Sequence, residues 1–348
     1  MSDPLPINEI ITKLQEAVSV EKRALIVAPP GAGKTTIIPL KLLNNQNITG
    51  QIIVLEPRRL AARAAASQMA VLLNEPVGET VGFQIKGLNK VSKQTRIVVI
   101  TEGILIRMIQ SDPSLSKVGC IIFDEFHERS INADLGLALS LQLAEVLRND
   151  LKIIVMSATL DVGPVSDLLD TRAPIISEGR AYHVECKYLS RPKSKNEDLW
   201  GNFSELVSNA FEMTDGGILA FLPGEAEIKT TAKLLKEKLP KTAIIMPLYG
   251  SLPFDQQFKI LKPLENKNLR KVVLSTSIAE TSLTISDIKV VVDSGYTRRS
   301  LYDPSSGMSR LITQKVSRAE ANQRMGRAGR ITEGWCYRNW AVTEEGAM

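Results

Sequence analysis

The sequence predicts two tandem, doubly wound α/β domains. Short, almost continuously apolar β-branched runs recur along the chain, as is typical of parallel strands covered on both faces, and helical segments follow them. The length of 348 residues suits two domains of about 100–200 residues each. Apolar residues make up 44% and charged residues 23% of the chain, which excludes a disordered or fibrous protein.

The first predicted domain contains a series of βαβ units. The segments 60–73 and 134–148 are rich in Ala and Leu and long enough to be crossover helices. Five runs are the predicted strands: 24–28, 52–55, 97–100, 120–123 and 153–156.

The pattern breaks between residues 174 and 195. A short strand, a strand over 184–188 and the polar stretch SRPKSKNED follow one another there. We therefore predict domains at 1–178 and 179–348. The second domain has predicted strands at 218–221, 243–248, 272–275 and 290–293, and one apolar helix face formed by Ile228, Ala232, Leu235 and Leu239.

Charge is distributed unevenly along the chain. The net charge is +5 and the sequence pI is about 9.0, which is compatible with a polyanionic partner. The stretch 298–330 holds eight basic and two acidic residues, a net charge of +6. This predicts that the second domain carries the basic excess.

The cysteines and the chain start exclude several other classes. Cys120, Cys186 and Cys336 are too far apart for a C-x-x-C clamp, and with only two histidines no zinc set can be assembled. No apolar run approaches the roughly 18 residues of a membrane span, and the start MSDPLPINEI lacks a basic region before an apolar core. We expect a cytoplasmic protein.

A glycine-rich loop follows the first strand. In APPGAGKT the glycines allow backbone N–H groups to approach phosphate oxygens, Lys34 reaches the β and γ phosphates, and the Thr35 hydroxyl can bind magnesium. The first position of the usual G-x-x-x-x-G-K-T pattern is Ala28, so an ordinary glycine-rich turn stays the alternative. The predicted ATP-binding residues are Gly31, Ala32, Gly33, Lys34, Thr35 and Thr36.

Two acids end the fourth predicted strand. At such a position Asp124 can hold magnesium, and Glu125 can orient and deprotonate the water that attacks the γ phosphate. In isolation the pair would be read as a solvated turn, but here it follows a phosphate loop. His127, taken alone, is more often a structural loop residue.

The segment QRMGRAGR, near the end of the chain, repeats arginine at every third position. Arg324, Arg327 and Arg330 would share a helix face, while Gly326 and Gly329 disfavour a helix. We expect a helix that ends in a loop projecting guanidinium groups onto phosphate. A general nucleic-acid-binding basic patch is the alternative.

Together these segments resemble the DEAH/RHA helicases of superfamily 2. DEFH is similar to the DEAH box, and QRMGRAGR matches motif VI of that family. Phe126, in place of the usual Ala, and FDEFHERS resemble the bacterial HrpB branch. Five further segments match in order: PRRLAAR (motif Ia), TEGIL (Ib), SAT (III), FLPG (IV) and STSIAETSLTI (V).

The resemblance implies two RecA-like domains with Mg²⁺ and ATP in the cleft between them and single-stranded nucleic acid, RNA rather than DNA, across their tops. The implied roles follow the family's motifs. Glu125, Gln323, Arg327 and Arg330 would be catalytic, Thr35 and Asp124 would hold the metal, His127, Ser157 and Thr159 would couple the sites, and Arg58, Thr101 and Thr276 would contact nucleic acid.

Two departures from the family pattern change the expectation. Gln68 and Leu261 stand where members often sandwich the nucleobase between Arg and Phe, so we expect little nucleotide selectivity. The chain stops about 18 residues after motif VI, whereas full-length members continue into further domains. We therefore expect the motor core alone and a weak unwinder.

Two other function classes compete with this reading. A non-motor nucleic-acid-binding protein would not need the water-activating Glu125 or the arginines of motif VI. A nucleic-acid-independent ATPase would leave motifs Ia and Ib and the basic stretch unexplained. No obligate protein partner is indicated.

Overall fold

The computed structural model describes residues 6–29, 31–159, 163–171, 173–179, 182–192, 194, 197–280, 285–330 and 332–347. Contacts divide the chain into two units, Met1–Arg180 and Ala181–Met348. Within the described residues, each unit is built on one main parallel sheet, which confirms the predicted α/β class.

The first unit contains eight described strands and six helices. The strands are β1 (Arg23–Val27), β2 (Gln51–Glu56), β3 (Val81–Ile85), β4 (Leu88–Lys90), β5 (Ile97–Thr101), β6 (Val118–Phe123), β7 (Lys152–Ser157) and β8 (Ile175–Ile176). The helices are α1 (Ile11–Val20), α2 (Lys34–Leu42), α3 (Arg59–Leu72), α4 (Glu102–Ser111), α5 (Ile131–Val146) and α6 (Gly163–Leu169), with short 3₁₀ helices at Pro6–Ile10 and Phe126–Glu128.

The strands of the first sheet lie in the order β4-β3-β5-β2-β6-β7-β1-β8, and only the β3–β4 pair is antiparallel. All five predicted strands are present. The pattern of apolar runs missed β3 and β4, since β4 is exposed along its whole length and β3 is flanked by polar residues. Leu25, Ile53, Ile121 and Ile153, on the neighbouring strands β1, β2, β6 and β7, are fully buried and belong to one apolar core.

Parallel strands bring their carboxyl ends to one edge of the sheet, where ligands bind in open α/β folds. The glycine-rich loop, Arg58 and Asp124 follow β1, β2 and β6, while Thr101 ends β5 and the first residue of SAT ends β7. The predicted functional residues of the first unit therefore share this edge.

The second unit contains eight described strands and four helices. The strands are β9 (Val184–Leu189), β10 (Gly217–Phe221), β11 (Ala243–Leu248), β12 (Arg270–Ser275), β13 (Ile288–Asp293), β14 (Tyr296–Asp303), β15 (Met308–Lys315) and β16 (Gly334–Ala341). The helices are α7 (Leu199–Met213), α8 (Glu225–Lys238), α9 (Phe254–Leu261) and α10 (Arg318–Met325), with 3₁₀ helices at Ser277–Ala279 and Val342–Ala347.

Six of these strands form a parallel sheet in the order β11-β12-β10-β13-β16-β9. The predicted apolar face of α8 is confirmed, because Ile228 and Leu235 are fully buried in the core of this unit. The antiparallel hairpin β14–β15 and the strand β16 were not predicted. Leu301, Tyr302, Met308 and Leu311 of the hairpin are exposed, so no buried face marks it in the sequence.

Ion pairs offset part of the basic stretch 298–330. Arg298 lies 2.8 Å from Glu227, Lys315 lies 3.3 Å from Glu344, and Arg299 lies 2.6 Å from Glu320. Two of these acids stand outside the stretch, so the count of +6 overstates the charge that it offers to a polyanion. In the described part of the chain, no helix combines the length and apolar composition needed to cross a membrane.

Candidate active site

The loop between β1 and α2 has the backbone of an anion cradle. Gly31 and Gly33 have φ values of 87° and 93°, a left-handed conformation that side chains disfavour. Helix α2 begins at Lys34, and the Ile37 N–H donates to the Gly33 carbonyl at 2.9 Å. The unpaired N–H groups of a helix start favour negative charge at this position.

The acidic turn after β6 is anchored by an aromatic side chain. Phe126 is buried and packs edge to face on Phe123, with ring centroids 6.1 Å apart. Glu125 adopts a left-handed conformation with φ of 48°, and its N–H donates to Asp124 Oδ1 at 2.7 Å. The turn therefore leaves the core with Asp124 and Glu125 adjacent to the loop after β1.

The glycine-rich loop after β1 and the acidic turn after β6 are in direct contact. Lys34 Nζ lies 3.1 Å from Glu125 Oε1, and both side chains are more than nine-tenths buried. The Thr35 hydroxyl donates a hydrogen bond to Asp124 Oδ2. A hydroxyl beside a carboxylate is an oxygen donor set of the kind that magnesium binds, so these two residues fit the metal that the sequence predicts.

Glu56 is a further acid that the sequence analysis missed. It ends β2, is 1% exposed and is hydrogen-bonded to Asp124. Burial, followed by the charges of Asp124 and Glu125, raises the pKa of Glu56 well above its usual value. A single acid at the end of the apolar run QIIVLE was the available signal.

Asp124 is affected by the same crowding. Burial, with the charge of Glu125 as the next cause, raises its pKa to about 6 despite opposition from Lys34 and Thr35. Like charges in a low-dielectric site resist simultaneous ionisation. The carboxyl groups at this site therefore carry more potential negative charge than the ammonium group of Lys34 can neutralise.

His127 connects the acidic turn to SAT. Its Nδ1 accepts a hydrogen bond from the Ala158 N–H at 3.2 Å and lies 3.4 Å from Glu125 Oε2. Burial lowers the pKa of His127, so we assign the neutral ring with Nδ1 as the acceptor. The Ser157 hydroxyl donates to the Thr159 carbonyl at 3.1 Å, and the Ser157 carbonyl accepts from the Ala28 N–H at 3.0 Å. SAT thus contacts both the phosphate loop and the DEFH turn.

The predicted nucleic-acid residues of the first unit lie on neighbouring strands. Arg58 precedes α3 and Thr101 precedes α4, at the ends of β2 and β5. Arg58 Nη2 also lies 3.3 Å from Glu128 Oε2, just after DEFH. In the second unit, Thr276 follows β12, whereas residues 281–284 of motif V lie outside the described residues.

Motif VI begins on α10 and continues into a tight turn. A capping box between Ser317 and Glu320 starts the helix, and Gln323 lies half-buried near its end. A Cβ on Gly329 would stand 2.6 Å from the Tyr182 carbonyl oxygen, so only glycine fits there without a shift.

Arg324 does not project toward solvent, contrary to the sequence prediction. It is fully buried, with Nε 3.2 Å from Glu280 Oε2 and Nη1 2.8 Å from Asp293 Oδ1. Its guanidinium also stacks over the Phe221 ring at 4.9 Å. Arg324 therefore joins α10 to β13 and the β12–β13 connection as a structural residue.

The other two arginines of motif VI differ from Arg324 and from each other. Arg327 is 5% exposed, and its guanidinium donates to the Glu280 carbonyl, with Nε at 2.8 Å. Arg330 is half-buried. Their predicted catalytic role, like that of Gln323, stays a prediction.

Comparisons with known proteins agree with the motifs. A DEAD/DEAH box helicase model matches residues 8–168, and a model of the helicase conserved C-terminal domain matches residues 201–332. The chain belongs to the DEAD/DEAH box helicase family. The crystal structure of the Escherichia coli DEAH/RHA helicase HrpB aligns with a TM-score of 0.91 and 44% identity, over 99% of this chain and 43% of that one.

Curated helicase relatives are longer than this chain. The ATP-dependent RNA helicase HrpB of Escherichia coli is 46% identical over 330 residues, which cover 95% of this chain and 40% of the relative. An HrpA homologue from Haemophilus influenzae is 37% identical over 338 residues, covering 97% of this chain and 26% of the relative. The chain thus spans less than half the length of these relatives.

The two positions that depart from the helicase pattern differ in exposure. Gln68 is exposed on α3, while Leu261 is buried at the end of α9. Neither offers a guanidinium plane or an aromatic ring. The expectation of weak base recognition stays a prediction.

Replacing Arg324 by Met should destabilise the second unit by about 3–5 kcal/mol, because Glu280 and Asp293 would keep buried charges without their partner. All three tryptophans, Trp200, Trp335 and Trp340, lie in this unit, so tryptophan fluorescence in a urea titration measures the loss. The matched control is Arg310→Met on exposed β15, with an expected change of about 0.5 kcal/mol or less. A loss of under about 1 kcal/mol for Arg324→Met would contradict the structural role.

Replacing Glu56 by Gln should stabilise the first unit at pH 8 and much less at pH 5. The raised pKa keeps Glu56 protonated in the folded state where the unfolded chain ionises, so wild-type stability falls as pH rises from about 4.5. Each pKa unit of difference is worth about 1.4 kcal/mol, and Gln removes this loss. Hydrogen exchange of β2 and β6 peptides, corrected for intrinsic rates at each pH, measures it. A gain that is equal at both pH values would contradict the protonated Glu56.

Proposed function

We propose that this chain is the motor core of an ATP-dependent nucleic-acid helicase, which hydrolyses Mg-ATP and couples hydrolysis to single-strand binding and translocation. The observation that carries the proposal is the meeting of Lys34 and Thr35 with Glu125 and Asp124 at one sheet edge. RNA is the favoured strand, because the curated relatives are named RNA helicases. A cytoplasmic location remains a prediction from the sequence.

Binding of the triphosphate would rest on the loop and on Lys34. The left-handed glycines and the start of α2 supply N–H donors for phosphate oxygens. Thr35 and Asp124 would hold magnesium, which supplies charge neutralisation at the β- and γ-phosphate oxygens. Crowding of acids at Asp124 and Glu56 favours a divalent cation at this position.

Glu125 would act as the base for the attacking water. The Glu125 carboxylate is paired with Lys34, and neither charge is exposed to solvent. Phosphate binding gives Lys34 a new anionic partner and releases Glu125 to accept a proton. The ion pair with Lys34 would thus keep Glu125 from acting as a base until phosphate binds.

Coupling would run through SAT and DEFH. The contacts Ala28–Ser157 and Ala158–His127 join the phosphate loop, SAT and the acidic turn through backbone groups. The pair between Arg58 and Glu128 links the turn to a predicted nucleic-acid contact. A shift at the γ phosphate can therefore reach Arg58 through contacts of the first unit. The pathway itself remains a proposal.

The second unit would contribute Gln323, Arg327 and Arg330 to the nucleotide, a role that rests on the family resemblance. For Arg327 this requires exchange of the Glu280 carbonyl for phosphate oxygens. The exchange is favourable only when an anion replaces the hydrogen bonds that the buried Arg327 guanidinium makes to the Glu280 carbonyl. Thr276 would contact the strand backbone, with Arg58 and Thr101 from the first unit.

Glu125→Gln should lower ATP turnover at least about 100-fold, because the amide cannot accept the water proton. ATP affinity should be unchanged or tighter, since Lys34 loses a competing carboxylate. Lys34→Ala should instead weaken binding itself. Turnover with single-stranded RNA and equilibrium ATP binding are measured on both variants, with Glu145→Gln at an exposed position of α5 as the control. More than about a tenth of wild-type turnover in Glu125→Gln would refute its role as the base.

We also propose that the 348 residues, taken alone, bind single strands and hydrolyse ATP but unwind duplex weakly. Arg58, Thr101 and Thr276 would contact the phosphate backbone of the strand, which carries charge but no base sequence. Binding should therefore be salt-sensitive and nearly sequence-independent. A tailed-duplex unwinding assay beside an ATPase assay on one preparation tests this. Processive strand displacement, or single-strand affinity that is equal at low and high salt, would contradict it.

A further inference from the structure

Two of the three cysteines stand opposite each other in the second sheet. In the parallel pair of β9 and β16, Cys186 is the register partner of Cys336. Neighbouring strands lie about 4.8 Å apart, which is within the Cα separation of about 4.4–6.8 Å that a disulfide requires. The third cysteine, Cys120, is buried in the first unit.

The two thiols interact and differ in character. The hydrogen bond from the Cys336 thiol, together with the charge of Arg338, lowers the pKa of Cys186 to about 6. Cys336 is buried, and its pKa is raised by the same hydrogen bond and by burial. Cys186 is half-buried on β9, the edge strand of the sheet. A partly exposed thiolate beside a buried thiol is the arrangement of an attacking and a resolving cysteine.

The thiol pair lies next to hydrogen bonds that connect β9 and β16 to α10, the helix on which motif VI begins. Two residues further along the same strands, Tyr188 and Arg338 are also register partners, on the same face of the sheet. Arg338 Nη1 donates to the Tyr188 hydroxyl at 2.8 Å, and Nη2 donates to Asn322 Oδ1 at 2.9 Å. Asn322 precedes Gln323 on α10, so the β9–β16 seam supports the helix that carries motif VI.

We propose that Cys186 and Cys336 are an oxidation site that forms a reversible intramolecular disulfide when the chain meets a hydroperoxide. The Cys186 thiolate attacks one peroxide oxygen and the O–O bond breaks. Cys186 becomes a sulfenic acid, and the second peroxide oxygen leaves as hydroxide, which takes up the proton that the Cys186 thiol released. The Cys336 thiol then attacks the Cys186 sulfur, and the hydroxyl leaves with the thiol proton as water. With hydrogen peroxide as the oxidant, two thiols are oxidised and one peroxide is reduced to two waters.

The cross-link would have a defined mechanical effect. It would tie the edge strand β9 to β16 and close a loop of 150 residues that contains the rest of the second sheet. A link across so long a loop restricts the unfolded chain, and a register pair meets it with little distortion of the folded one. The oxidised second unit should therefore unfold at a higher temperature than the reduced one.

The chemical test counts thiols in the whole chain after hydrogen peroxide treatment, denaturation and alkylation. Reduced protein should show three alkylated cysteines, and oxidised protein one, Cys120, with a peptide pair linked through Cys186 and Cys336. Dithiothreitol should restore all three. Cys120→Ser should form the same link, whereas Cys186→Ser should keep both of its remaining thiols.

Other products would overturn the proposal. These are irreversible Cys186 sulfinic acid without a linked peptide, chain-to-chain disulfides, or three surviving thiols. A second readout is thermal unfolding followed by tryptophan fluorescence. The midpoint should rise on oxidation of the wild type and remain unchanged in Cys186→Ser. A linked wild-type chain with an unchanged or lower midpoint would show that the disulfide does not fit the native strands. None of these measurements depends on ATP or RNA.

Discussion

Three buried carboxyl groups share one buried ammonium at the edge of the first sheet. Glu56, Asp124 and Glu125 converge where β2 and β6 end, and the Lys34 side chain is their buried cationic neighbour. Burial, followed by the charges of the neighbouring carboxylates, raises the pKa of Glu56 and of Asp124. The magnesium proposed at Thr35 and Asp124 would offset the charge of these acids, which Lys34 offsets in part by its ion pair with Glu125.

In the second unit, the central buried charge is an arginine that is paired with two acids. Arg324 is buried between Glu280 and Asp293, so this arginine of motif VI holds α10 against the sheet. Arg327 is also turned inward, on the Glu280 carbonyl. Equal spacing along the sequence therefore does not imply equal exposure.

Much of this architecture can be predicted from the sequence, for physical reasons. Strands buried on both faces, such as β2 and β6, are continuous apolar runs that no exposed segment imitates. The loop around Lys34 is recognisable because its glycines and lysine lie between a strand and a helix, and the turn at Asp124 is recognisable because its two acids follow that loop along the chain. Other features escaped: strands β3, β4 and β16, the hairpin β14–β15, whose two faces are both largely exposed, the burial of Arg324, and the role of Glu56. The contacts of Arg324 and of Glu56 depend on residues far away in the sequence, which local patterns do not contain.

The placement of β9 and β16 has a consequence for synthesis. β9 is the first strand of the second unit to be made, and its only partner in the sheet, β16, is the last. Until β16 leaves the ribosome, β13 keeps an open edge and β9 has nowhere to pair. Such long-range pairing is slow, and unpaired strand edges invite association with other chains. The second unit can therefore complete its sheet only once residue 341 has left the ribosome.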